Sequence, residues 1–155
     1  MTGMLISILI VILSAVVGHY LCLKLYKRRD TLSEFDRLFD EAANRMCYTY
    51  GSLAEVFNSN FAGFKFDAKE PFASQWYALV QRYSDTLSDD DKRILTEFST
   101  EIGDGDLSAQ LKRIRLYQSL IKERQKSASD EVNLKAKLYR AIPFSVGLVI
   151  AILII

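Results

Sequence analysis

Few residues in this 155-residue chain are of a type that does chemistry, and they are scattered. His19 is the single histidine, and the two cysteines, Cys22 and Cys47, fall in different segments. A metal site or a Cys–His nucleophile needs several such groups within reach of one another, and these three offer no support for either. His19 sits beside Tyr20 at the end of an apolar run, where amphipathic rings rest at a membrane interface. Cys47 is expected to be a small buried apolar side chain. Ser88-Asp89-Asp90-Asp91 gathers three carboxylates, which in principle suits a divalent cation. Consecutive helical residues point in different directions, however, and Ser followed by acids reads as an N-cap with carboxylates in the positive first turn. Gly103-Asp104-Gly105-Asp106 lacks the later ligands of a calcium loop, and no strand precedes it to make a nucleotide fingerprint. These residues point away from catalysis and imply no cofactor and no metal.

The elements that hold them form a three-part chain. Every Lys, Arg, Asp and Glu lies between Lys24 and Arg140, so an apolar segment precedes and follows a mixed one. A net charge of +1 creates no overall field for nucleic acid. Met4 to Leu23 is uncharged, rich in Ile, Leu and Val, and long enough to cross a bilayer as a helix. A signal peptide needs cations before its apolar run; here Lys24, Lys27, Arg28 and Arg29 follow it, as for an anchor. The positive-inside rule then places Lys24 onward in the cytoplasm and the amino terminus outside. Ala141 to Ile155 is a second apolar segment, with Lys135, Lys137 and Arg140 ahead of it. At about fifteen residues it is short for a span, and Leu138, Tyr139 or a snorkelling Arg140 would help it cross. Pro143 fits the first turn of such a helix.

The middle, 24–140, has room for one soluble domain of about 115 residues. Leu32, Phe35, Leu38, Phe39, Ala42, Met46 and Leu53 form a helical seam that continues from the first span. Asn58 to Pro71 carries Phe61, Phe64 and Phe66, with Phe57 and Phe72 beside it, and is expected to pack on the domain, a partner-binding patch being the alternative. Ala73 to Ser84 reads as a short helix with Trp76, Tyr77, Leu79, Val80 and Tyr83 in the core. Ser88 opens another, with Ile94, Leu95, Phe98 and Ile102 as its apolar face. Leu107 to Arg140 contains no Pro or Gly, and Leu107, Leu111, Ile114, Tyr117, Ile121, Ala128, Val132 and Leu138 recur at threes and fours. Unbroken, it makes a helix of roughly 50 Å. The fold class is all-α: an antiparallel helical bundle flanked by two membrane helices.

Gly103, Asp106, Gln110 and Ile114 read G-x-x-D-x-x-x-Q-x-x-x-I, ahead of a long basic helix ending Lys137-Leu138-Tyr139-Arg140 and an apolar tail. This resembles the stage III sporulation protein AB family, with Trp76 and the segment Tyr48 to Glu55 in weaker agreement. Ser52 stands where that family usually has Pro, Pro143 where it commonly has Gly, and the stretch from Leu53 to Trp76 is about one helix short. The resemblance implies a non-enzymatic membrane component of the complex linking mother cell to forespore. The family's domain is similar to those of the inner-membrane platform proteins of type II secretion and type IV pilus systems. Partners implied are other components of that complex and a cytoplasmic ATPase; association with further copies of the chain stays open. A general secretion or pilus platform and a membrane-tethered ligand-binding module are the alternatives. The motif itself reads as structural: Gly103 turns the chain, Asp106 caps a helix, and Gln110 lies on the Ile114 side.

Two further readings come from spacing. Ser14 with Gly18, and Gly147 with Ala151, are small-x-x-x-small pairs at matching depth, which predicts that the spans pack antiparallel. A cysteine pair at Val17 and Leu148 is then expected to crosslink. Lys112, Arg113, Arg115, Lys122, Arg124 and Lys126 form a basic set, either a solvated helix face or a surface for acidic partners.

Overall fold

The computed structural model describes residues 2–48, 52–57, 61, 63–103 and 106–154. Among them the regular elements are helices: α1 (Thr2–Met46), α2 (Leu53–Val56), α3 (Phe72–Arg82), α4 (Asp89–Glu101) and α5 (Leu107–Ile154). They divide into two compact units, one made of Met1–Arg29 with Ser127–Ile155 and the other of Asp30–Lys126. The compact central unit is thus narrower at both ends than the segment 24–140 bounded by charge. The flanking residues pack with the apolar segments instead.

The central unit is built on aromatic rings. Trp76 is fully buried, its indole N–H donating to the Leu95 carbonyl at 2.7 Å, with Phe98 at 4.8 Å and Phe57 at 5.4 Å between ring centroids. Phe35 and Phe39 of α1 complete this cluster, Phe39 standing edge-on to Phe98 at 4.8 Å. The segment after α2 packs on the domain as its composition demands, with Phe57, Phe61 and Phe66 buried. Gln75 holds it there: its amide nitrogen donates to the Asp67 and Glu70 carbonyls, and its amide oxygen accepts from the Asp67 N–H. A buried amide is tolerated because its oxygen and its nitrogen both find partners. Between Leu53 and Trp76 the described helical residues are α2, one turn long, and the start of α3.

Four apolar expectations are overturned. Tyr77 is 51% exposed, because the buried stripe of α3 runs through Gln75, Trp76, Leu79 and Val80 and leaves its neighbour pointing out. Leu107 is exposed in the first turn of α5, before the stripe of Ile114, Tyr117 and Ile121 begins. Leu138 is exposed because the stripe shifts to Ala136. Cys47 is exposed as well, one residue beyond Met46 where the buried face of α1 ends.

In the other unit, the first part of α1 runs antiparallel to the last part of α5. Cys22, Val132 and Ala136 form its buried core, with Leu25, Tyr26 and Tyr139 against them. The Cys22 thiol donates to the Ala136 carbonyl at 3.2 Å. Among the described residues α1 is the one helix long and apolar enough to cross a membrane. Pro143 lies inside α5 rather than opening a separate helix.

Candidate functional site

The signature residues stand at the turn into α5. Gly103 has φ +112°, a left-handed value that side chains with a Cβ rarely adopt, so the turn itself demands glycine. Asp106 Oδ1 accepts from the Ala109 N–H at 2.8 Å, the N-cap bond expected of it, and the Gln110 N–H donates to the Asp106 carbonyl. Gln110 is half-buried and Ile114 fully buried one turn on. Asp104 and Gly105 lie outside the described residues, as do Gly51, Asn58, Ser59 and Asn60.

The acids of Ser88–Asp91 divide their roles. Ser88 and Asp91 form a capping box, the Ser88 hydroxyl accepting from the Asp91 N–H and the Asp91 carboxylate from the Ser88 N–H. Asp89 and Asp90 stay exposed, but Asp91 is fully buried and its Oδ1 accepts from Arg124 Nε at 2.7 Å. Arg124 also reaches the Ser88 hydroxyl and Asp90. A buried carboxylate needs such a partner, since desolvation of an unpaired one is costly. Spacing alone identifies Asp91 as the third residue after the cap; it carries no signal for the pairing with a residue 33 positions away.

This splits the basic set. At about 100° per residue, Lys112, Arg115, Lys122 and Lys126 fall on one face of α5, while Arg113 and Arg124 fall on another. The first four are exposed and the latter two half-buried. Arg115 is engaged on its own unit, donating to Asp40 at 3.4 Å beside a Gln118 contact to the same carboxylate. Between these faces, Tyr117 packs its ring 5.3 Å from that of Phe98. Burial, then its hydrogen bond to Glu101 and the charge of Glu101 and Glu97, push its hydroxyl up to about 12.

In the apolar unit, the small residues lie where the helices touch. A Cβ on Gly147 would collide with the Ser14 hydroxyl, and one on Gly18 would lie 2.5 Å from the Tyr139 carbonyl oxygen and 3.3 Å from Pro143 Cγ. Ser14 therefore faces Gly147, whereas Gly18 faces Tyr139 and Pro143. The side chains of Ala151 and Arg140 lie outside the described residues. Val17 and Leu148 are 53% and 44% exposed, so they are not the residues at the contact. Further along, Arg28 Nη1 donates to Glu131 at 2.8 Å and Lys135 to the same carboxylate at 2.6 Å. The Lys135 ammonium, with Arg28 adding to it, holds Glu131 below the usual carboxylate range. His19 is exposed on α1.

The fold and these residues define an all-α protein with a membrane-length helix, in which the conspicuous polar side chains cap, pair and brace helices. The family model of stage III sporulation protein AB matches residues 60–155, well over half the chain, and the chain belongs to that family. Its role is accordingly related to sporulation. The match takes in Trp76 and all four signature residues, while Tyr48 to Glu55 lies ahead of it. No curated protein and no solved structure matches the chain.

Proposed function

We propose that the protein is a non-enzymatic, two-pass membrane scaffold of a secretion-like complex between mother cell and forespore. Its central unit would stand in the mother-cell cytoplasm and both termini outside. The observation that carries this reading is the register of the apolar unit. Ser14 opposes Gly147, Cys22 opposes Ala136 and Arg28 opposes Glu131, so Leu23 comes roughly level with Lys135 and Leu138 with Tyr20, near the inner edge of the first span. Counted from Leu138 rather than Ala141, the apolar part of α5 runs about 26 Å to Ile154, close to a bilayer core, which supplies the length that a count from Ala141 lacks. The cations after Leu23 and before the tail favour the same cytoplasmic side.

The scaffold role is supported by the structural uses of the polar residues: Asp91 and Arg124 join α4 to α5, Asp106 caps α5, and Gln75 pins the segment ahead of α3. The exposed face of Lys112, Lys122 and Lys126, with Arg115, is the surface proposed to meet acidic partners, a cytoplasmic ATPase or other components of the complex. The test is crosslinking in sporulating cells followed by recovery of a tagged chain. Co-recovery of other membrane components, weakened when Lys112, Lys122 and Lys126 are changed to Glu, is expected. Recovery of the chain alone would sink the scaffold reading. Labelling of a cysteine at Ser33 in intact cells would overturn the topology.

A further inference from the structure

The apolar unit carries an unusual rim where its helices leave the apolar segments. Lys24, Lys27 and Lys137 are all exposed there, within about two helical turns by the register above. None of them forms an ion pair with a described residue, whereas Arg28 and Lys135 are drawn to Glu131. Large apolar and amphipathic side chains are exposed among these cations. Tyr20 is 67% exposed on α1, and Leu138 and Leu134 are 53% and 73% exposed on α5. An exposed Leu beside exposed Lys is unfavourable in water and favourable at a headgroup boundary, where the Leu meets acyl chains and the Lys stem reaches outward to phosphate.

We propose that this rim is a binding collar for anionic phospholipid, with Leu138 and Tyr20 lying against the acyl chains, Leu134 at the headgroup boundary, and Lys24, Lys27 and Lys137 against the headgroup phosphates. The proposal rests on the two-pass reading above and adds a ligand class to it. The chemistry that distinguishes the ligand is net negative charge on a lipid. Each cation close to an anionic membrane surface strengthens the interaction by roughly fivefold, whereas a zwitterionic headgroup gains little. Glu131, the acid facing this rim from α5, is already paired, so it does not cancel the three lysines.

The full chain is purified in neutral detergent with equimolar phosphatidylglycerol and phosphatidylcholine, and the retained lipid is quantified. Several-fold enrichment of phosphatidylglycerol is expected, lost in the variant K24Q/K27Q/K137Q and reduced by high salt. Equal retention of the two lipids, or enrichment that survives in the variant, overturns the collar. So does displacement of the lipid by excess inorganic phosphate, which would mark a soluble-anion site. An unchanged melting temperature of the variant in detergent without lipid establishes that it is folded. Carbonate extraction of the same chain from membranes reports separately on the spans: a chain that resists extraction yet shows no lipid preference refutes the collar and leaves the two-pass reading standing.

Discussion

Arg124 Nε donates to Asp91 Oδ1 across 2.7 Å, and the carboxylate that receives it has no exposed surface. The bond ties the capping box of α4 to the middle of α5, so one ion pair fixes where two helices meet. Replacing Arg124 by Met should destabilise the central unit by about 3–5 kcal/mol, because it removes the cation that faces a buried carboxylate. Changing Asp91 to Asn alongside it should recover part of the loss, giving a non-additive double-mutant cycle. Trp76 is the single tryptophan and lies in this unit, so its fluorescence during urea unfolding reads the effect directly. A loss below about 1 kcal/mol in Arg124→Met is the result that a surface pair would give.

The aromatic core makes a second prediction with its own control. Phe98 touches Phe39, Trp76 and Tyr117, and Phe98→Ala should cost about 3–5 kcal/mol. Tyr77, on the outer side of α3, should tolerate Ala within about 0.5 kcal/mol. Equal losses from the two, measured by the same unfolding curves, would contradict the stripe assigned to α3.

Alkaline pH should weaken the central unit through Tyr117. Its hydroxyl ionises at about 12 in the folded chain against an ordinary 10.0, so the folded state holds this proton more tightly than the unfolded one does. The contribution to stability is therefore complete below about pH 10 and is lost as pH rises from there towards 12. Tyr117→Phe should flatten that part of the stability profile. A variant whose alkaline slope equals that of the parent would show that other groups produce it.

The apolar unit predicts which cysteines crosslink. With Cys22 and Cys47 changed to Ser, a pair at Ser14 and Gly147 should oxidise to a disulfide in membranes, since these positions face each other across the helix contact. A pair at Val17 and Leu148 should do so poorly, both being turned outwards. Gel mobility without reductant separates the outcomes, and the reverse order of efficiency would reject this register.

Helix type and position are largely legible in the sequence. The Ser88 cap, the Asp106 cap, the turn at Gly103 and the burial of the Phe-rich segment all follow from local rules, because a cap or a left-handed glycine is a property of a few consecutive residues. The small-residue pairs point to the contact between α1 and α5, while the register that pairs Gly18 with Gly147 gives way to one in which Ser14 faces Gly147. Gly18 lies against Tyr139 and Pro143, since the proline ring and the Tyr139 carbonyl approach too closely to leave room for a Cβ. Spacing puts Leu138 and Leu107 on the buried seam, yet a helix of 48 residues drifts off any fixed seam as its partners change.

By itself, then, the sequence determined the all-helical class, the apolar ends, the caps and the sporulation family, all of which are written in neighbouring residues or in a short motif. Only the tertiary structure decided that Arg124 belongs to Asp91 rather than to an open basic face, and that Arg28 and Lys135 share Glu131. Charge in a sequence has a sign but no partner. The partner is chosen by which helix faces come together, and that depends on the packing of side chains far apart in the chain.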